Sequence, residues 1–88
     1  MKKALEQAFE AYERSEIPIG AVLVDKNNKI ISMNHNRVIE LKDPTAHAEI
    51  LCIREACKKF KNTYLKGCSI YVTLEPCQMC LFAISKVQ

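Results

Sequence analysis

Asp43-Pro44-Thr45-Ala46-His47-Ala48-Glu49, followed by Pro76-Cys77-Gln78-Met79-Cys80, is the pair of stretches that determines how the chain is interpreted. Together they supply one imidazole and two thiols, which are borderline and soft ligands that suit zinc. Three protein ligands leave the fourth tetrahedral position free for water, as in catalytic zinc sites. The sequence therefore predicts a catalytic zinc, one per chain, held by His47, Cys77 and Cys80.

Both stretches carry signals for the start of a helix. Asp43 is an N-cap candidate and Pro44 follows it in the first turn, which predicts a helix over residues 45–60. Pro76 likewise predicts that the last helix begins at the cysteine pair. Cys77 and Cys80 are three residues apart, so they share one face of that helix.

The spacing of His47 and Glu49 restricts where the zinc can lie. Two residues along a helix differ by about 200°, so these side chains share a target only beyond the helix end. We therefore expect the N-termini of two helices to face one zinc. The Glu49 carboxylate then lies beside the metal without being a ligand.

Other interpretations of the cysteine pair explain less of the sequence. A redox C-x-x-C would leave His47 and Glu49 unexplained, and a c-type haem site needs histidine where Leu81 stands. A structural zinc would need a fourth ligand, for which the candidates are His35, Cys52, Cys57 and Cys68. We favour small buried hydrophobic side chains for those three cysteines, a buried or exposed non-ligand role for His35, and catalytic zinc for the motif.

The remaining patterns predict an α-β-β-α-β-α order of elements. Residues 1–14 form an amphipathic helix, residues 21–24 and 29–33 a β-hairpin, and residues 34–42 a loop. Residues 68–74 form a strand that we expect to lie parallel to its sheet neighbour, because a helical crossover precedes it.

Two helices have predicted inner faces. In the first helix the apolar residues at helical spacing are Leu5, Ala8, Phe9 and Tyr12. In the helix over residues 45–60 the predicted buried stripe is Ala46, Ile50, Ile53, Cys57 and Phe60.

The composition is that of a soluble globular protein. With 88 residues the chain forms one domain, over residues 1–88, and a bound zinc would add to its stability. No apolar run could span a bilayer and no export signal is seen, so we expect no membrane contact and a cytoplasmic location.

The net charge of +3 permits an RNA partner. We interpret the lysines at 58, 59, 61 and 66 as complementing a helix C-terminus rather than as a phosphate-binding patch.

The chain resembles a known enzyme family over essentially its whole length. The similarity is carried by residues 17–22, Asn36-Arg37, residues 43–49 and residues 73–80. These stretches closely resemble bacterial tRNA-specific adenosine deaminases, within the cytidine and deoxycytidylate deaminase superfamily. The resemblance implies a three-layer α/β/α fold with a mixed sheet. Family members continue beyond the P-C-x-x-C helix, so we expect this to be the N-terminal portion, with the C-terminal strands and helix missing.

The resemblance also implies what the individual residues do. His47, Cys77 and Cys80 would hold zinc, Glu49 would shuttle protons, and Asn36 would hydrogen-bond the target base. The implied reaction is hydrolytic deamination of adenosine to inosine at the wobble position of a tRNA anticodon stem-loop, with homodimers as the family assembly. The alternatives are a free-base or nucleoside deaminase acting on cytosine or guanine, and an inactive truncated zinc-binding remnant.

Overall fold

The computed structural model describes residues 1–87, which form helices and strands in the predicted order with one addition. The elements are α1 Lys2–Glu13, β1 Gly20–Val24, β2 Ile30–His35, α2 Val38–Leu41, α3 Ala48–Phe60, β3 Ser69–Val72 and α4 Gln78–Lys86. None of the helices in this part of the chain is long and apolar enough to cross a membrane.

The strands lie in the order β2-β1-β3, and both pairings are antiparallel. The hairpin is confirmed, but the prediction that β3 lies parallel to its sheet neighbour is wrong. The crossover through α3 does connect two strands of the same direction, β2 and β3, but β1 lies between them. Crossover chirality fixes relative direction and not adjacency, so β3 meets an antiparallel partner. The described sheet is thus antiparallel, whereas the resemblance implies a mixed one.

Helices cover both faces of the sheet. Alternate residues of a strand point to opposite faces, and in β1 both sets are buried. Val22 and Val24 form one cluster with Ala4 of α1. Ala21 and Leu23 belong to a larger cluster with α3, against which residues of α4 also pack. The layers are therefore α1, the sheet, and α3 with α4, which confirms the three-layer α/β/α prediction.

The first helix packs through a face that shares only Ala8 with the predicted one. Its buried residues are Ala4, Ala8 and Ala11, whereas Leu5, Phe9 and Tyr12 are each more than half exposed. The reason is close approach to the sheet. A Cβ atom at Gly20 would lie 2.1 Å from the Ala4 carbonyl oxygen and 2.5 Å from the Ala8 nitrogen. Only small side chains fit between backbones this close.

Replacing Gly20 with alanine should therefore lower the free energy of unfolding by about 3 kcal/mol, because the obstructing atoms are backbone and α1 must move. Gly67→Ala is the matched control. Its Cβ would meet only Lys26 at 3.7 Å, so the cost is the strain of a φ of 77°, about 1 kcal/mol. Urea unfolding of both variants measures the difference. A Gly20→Ala variant as stable as Gly67→Ala would contradict this packing.

Helix α3 begins three residues later than the sequence predicts. Asp43 caps a turn instead of the helix, since its Oδ1 accepts hydrogen bonds from the Thr45 backbone N–H (2.9 Å) and hydroxyl (2.7 Å). The helix N-cap is His47. This turn is what leaves His47 in extended backbone at the helix end.

The predicted stripe of α3 is right only in part. Ala46 and Ile53 are buried, but Ile50 and Cys57 are partly exposed and Phe60 is half exposed. The buried residues of the helix are Ala48, Glu49, Leu51, Cys52, Ile53 and Ala56. The set is wider than one stripe because α3 packs on the sheet and on α4 at once.

The loop predicted over residues 34–42 contains the end of β2 and the short helix α2. The carboxylate of Glu16, which is buried, accepts hydrogen bonds from the backbone N–H groups of Ile39 (3.1 Å) and Glu40 (2.8 Å). These are unpaired donors of the first turn of α2. The capping residue, Glu16, lies twenty-three residues before Ile39, so no capping residue next to the helix marks its start in the sequence. The sequence pattern therefore missed this helix.

Candidate metal centre

Three side chains from two helix ends form a compact triangle. His47 is the N-cap residue of α3, Cys77 is the N-cap residue of α4, and Cys80 lies in the first turn of α4. The Cys77 Sγ lies 3.7 Å from the His47 Nδ1 and 3.7 Å from the Cys80 Sγ. The Cys80 Sγ lies 3.5 Å from the His47 Nδ1. The predicted set of three metal ligands is therefore brought together.

The triangle has the size that tetrahedral zinc requires. Zinc–sulfur bonds of about 2.3 Å and zinc–nitrogen bonds of about 2.0–2.1 Å imply edges of about 3.8 Å between sulfurs and about 3.6 Å from sulfur to nitrogen. The observed distances, 3.7 Å between sulfurs and 3.5–3.7 Å from sulfur to nitrogen, agree with these. One nitrogen and two sulfurs are also the donors that zinc prefers.

The two helix starts explain how the side chains converge. His47 (φ −77°, ψ 153°) and Cys77 (φ −71°, ψ 171°) are in extended backbone, and helical backbone begins at the next residue of each. Both side chains therefore project beyond the end of a helix. The two helix N-termini converge on one triangle of possible ligand atoms, as expected, although His47 and Cys77 precede the helices instead of lying in their first turns.

The electrostatics of the two cysteines differ. The backbone N–H of Cys80 hydrogen-bonds the sulfur of Cys77 and lowers the pKa of the Cys77 thiol. Burial raises the pKa of the Cys80 thiol, and the negative charge of Glu49 raises it further. In the absence of a cation the Cys80 thiol thus keeps its proton at neutral pH. A divalent cation would reverse this, because a coordinating thiol is deprotonated.

Zinc affinity should consequently increase with pH. Binding must remove the proton that the raised pKa keeps on Cys80, and each proton released makes binding about tenfold tighter per pH unit. We expect the zinc dissociation constant to fall at least about tenfold from about pH 7 to about pH 8. Competition with a chromophoric chelator, corrected for the chelator's own protonation, measures this. A constant that does not change over this range would contradict a protonated Cys80.

Glu49 lies against the triangle without belonging to it. The side chain is 3% exposed, and its negative charge raises the pKa of the nearby Cys80 thiol. It is the second residue of α3, so it follows His47 around the same helix end. A buried carboxylate beside a metal triangle can take a proton from water and return it to another atom.

Asn36 is held at the same helix end. It is 2% exposed, and its Oδ1 accepts a hydrogen bond of 2.8 Å from the backbone N–H of Ala48, the residue after His47. This bond uses the amide oxygen, so the group of Asn36 that could donate to a ligand is Nδ2. The sequence pattern could not supply this detail, since the partner is a backbone atom.

The other candidates for a metal ligand are not part of the triangle. Within residues 1–87 the group of ligand atoms that could hold a metal consists of His47, Cys77 and Cys80. The buried Cys52 donates to the Ala21 carbonyl oxygen, and Cys57 and Cys68 are partly buried against the core. These cysteines therefore pack as hydrophobic side chains, as expected.

A three-layer α/β/α fold with an imidazole and two thiols at paired helix N-termini, and a carboxylate beside them, defines the class of zinc-dependent nucleobase deaminases. The chain belongs to the family described as the cytidine and deoxycytidylate deaminase zinc-binding region, which it matches over residues 1–88. The zinc predicted from the motif is therefore the cofactor that this family binds.

Curated relatives are markedly similar. The tRNA-specific adenosine deaminase of Aquifex aeolicus is 56% identical over 84 residues, which are 96% of this chain and 55% of that protein. The tRNA-specific adenosine deaminase of Agrobacterium fabrum is 53% identical over 85 residues, with 97% and 55% covered. The chain thus spans little more than half the length of these relatives.

Solved structures confirm the fold. A structure from a study of A-to-I editing by tRNA:A34 deaminases superimposes with a TM-score of 0.95 at 52% identity, covering 99% of this chain and 66% of that one. Guanine deaminase from Bacillus subtilis superimposes with a TM-score of 0.93 at 41% identity, covering 99% and 55%. The cytidine-deaminase-like fold is therefore confirmed for the described residues.

Proposed function

We propose that this chain is the zinc-bearing part of a hydrolase that deaminates adenosine to inosine at the wobble position of a tRNA anticodon. The observation that carries the proposal is the tetrahedral fit of the triangle of His47, Cys77 and Cys80, with a buried Glu49 against it. The choice of tRNA over other substrates is supported by the relatives at 53% and 56% identity.

In this proposal zinc, when bound, would lower the pKa of a water molecule toward neutrality and so supply a hydroxide nucleophile. Glu49 takes a proton from the water and delivers protons to the ring nitrogen and to the departing amine. Water and adenosine then give inosine and ammonia, with the C6–N bond broken and a C6–O bond formed. A carboxylate excluded from the zinc ligands is free to carry these protons.

Asn36 orients the base in the proposed complex. Its Oδ1 is held by the Ala48 N–H, so its Nδ2 presents a hydrogen-bond donor to an acceptor atom of the base. The base must leave its stack to reach a site at two helix ends. A base in a tRNA anticodon loop does so at lower cost than a base in a duplex.

The test is ammonia release by the zinc-loaded chain from an anticodon stem-loop, compared with adenosine, cytosine and guanine. Release from the stem-loop, with inosine in the product, supports the proposal. Release from guanine or cytosine alone would favour a free-base deaminase, for which the guanine deaminase at 41% identity is the relevant similarity. Zinc binding without release from any substrate would favour a remnant without turnover.

Three further features belong to the same proposal. Residues 1–88 constitute one zinc-dependent domain, the N-terminal portion of the deaminase. The protein works in the cytoplasm, where its tRNA substrate occurs. The assembly is a homodimer, which sedimentation of the zinc-loaded chain would test.

A further inference from the structure

His35 is a buried titratable side chain that the proposed reaction leaves unused. It ends β2, is 0% exposed and is among the largest fully buried side chains. Its Nδ1 lies 2.9 Å from the backbone carbonyl oxygen of Asn36. A carbonyl oxygen only accepts hydrogen bonds, so Nδ1 must carry the hydrogen and donate it.

The second ring nitrogen makes a purely structural role for His35 costly. Among residues 1–87 its buried Nε2 has no hydrogen-bond partner, since Oε2 of Glu10 lies 3.9 Å away, beyond hydrogen-bond range. A buried polar atom without a partner destabilises the folded state. Phenylalanine would fill a similar volume without that cost. The hydrogen bond from Nδ1 to the Asn36 carbonyl oxygen therefore accounts for a histidine at this position.

The Nδ1 hydrogen bond fixes the backbone of Asn36. The Asn36 N–H donates to the Ile19 carbonyl oxygen (3.1 Å), and its Oδ1 accepts from the Ala48 N–H (2.8 Å). The third group, the Asn36 carbonyl oxygen, accepts its hydrogen bond from the His35 side chain. The other two partners, at Ile19 and Ala48, are backbone groups. With its peptide groups held on both sides, Asn36 has one direction in which to present its amide.

We propose that His35 is a positioning residue for base recognition, which acts by holding the Asn36 backbone so that the Asn36 Nδ2 hydrogens face the base. The proposal rests on the proposed function, because that function assigns the base to Asn36. It adds a residue that does not itself contact the substrate: His35 contacts Asn36, and in the proposed complex Asn36 contacts the base.

Two substitutions separate positioning from packing. His35→Asn places an amide nitrogen near the position of Nδ1 and so keeps the donor, but it loses most of the ring volume. His35→Phe keeps the ring shape and loses the donor. A positioning role predicts that the asparagine variant resembles the parent more closely, and a packing role predicts the opposite order.

Hydrogen exchange of the zinc-loaded chain, followed by NMR, reads out the position of Asn36 directly. In His35→Phe we expect exchange of the Ala48 amide about tenfold faster, because the acceptor for that amide is no longer fixed. In His35→Asn we expect exchange close to that of the parent. One zinc per chain in both variants would show that the metal site has formed.

Two results would overturn the proposal independently of catalysis. One is a His35→Phe variant with parental exchange at Ala48, or one less perturbed than His35→Asn. The other needs no variant: ring ¹⁵N shifts of the parent that show no hydrogen on the His35 Nδ1 would remove the donor on which the inference depends.

Kinetics with the anticodon stem-loop then test the functional consequence. We expect kcat/KM to fall about tenfold in His35→Phe and to be largely restored in His35→Asn. An unchanged kcat/KM in His35→Phe would overturn the positioning role. If the parent itself releases no ammonia, the proposed function fails, while the exchange rates still decide whether His35 holds Asn36.

Discussion

Replacing Glu49 with glutamine should slow deamination of the anticodon stem-loop by a factor of about 10²–10⁴, with one zinc still bound per chain. Glutamine has nearly the shape of glutamate, so the 3% exposed position should still be filled. The amide cannot take a proton from water at neutral pH, which removes the proton transfer that the proposed reaction needs. Single-turnover rates of inosine formation and zinc stoichiometry measure the two parts of this prediction.

Glu55→Gln is the matched control on the same helix. Glu55 is exposed and accepts a hydrogen bond of 2.6 Å from the Asn34 side chain, which a glutamine oxygen can still accept. We expect its rate to be unchanged. Equal rates for parent and Glu49→Gln would exclude Glu49 as the proton carrier.

A second consequence of Glu49→Gln does not depend on turnover. The charge of Glu49 raises the pKa of the Cys80 thiol, so its removal should lower that pKa in the zinc-free protein. Thiolate absorbance or alkylation rates across pH would show the change. A Cys80 pKa identical in parent and variant would mean that Glu49 does not lie against the triangle.

The metal centre could be predicted from the sequence because its geometry is local. Cys77 and Cys80 are brought together by the start of one helix, and His47 with Glu49 by the start of another. Two rigid helix ends need only one relative placement to form the triangle. The relevant signals, proline before the cysteines and the spacing of the motif, all lie within a few residues.

Features that depend on distant partners could not be predicted in the same way. The face that α1 buries is decided by Gly20, whose backbone approaches Ala4 and Ala8. The helix α2 is capped by Glu16. Hydrophobic spacing ranks Leu5 and Phe9 above alanine as core residues, but small side chains are buried wherever two backbones come close. The hydrophobic pattern within one segment carries no information on the distance between its backbone and that of another segment.

Replacing Cys80 with serine should weaken zinc binding more than about 100-fold, because even the loss of an outer-shell partner costs about 10–100-fold. A serine hydroxyl stays protonated and does not replace a thiolate ligand. The stabilisation of the folded state by zinc should decrease as well. At a free zinc concentration a thousandfold above the parent dissociation constant, zinc stabilises the parent by about 4 kcal/mol. At the same zinc concentration the variant should gain only about 1.4 kcal/mol or less.

Cys52→Ser is the control for burial, since Cys52 and Cys80 are both 0% exposed. A serine at position 52 can still donate to the Ala21 carbonyl oxygen, as the thiol does at 3.4 Å, so zinc affinity should not change. Urea unfolding at fixed, buffered zinc compares the three proteins. Equal zinc-dependent stabilisation in all three would mean that Cys80 is not a ligand. Loss in both variants would mean that burial of a hydroxyl, and not the loss of a thiolate, explains the effect.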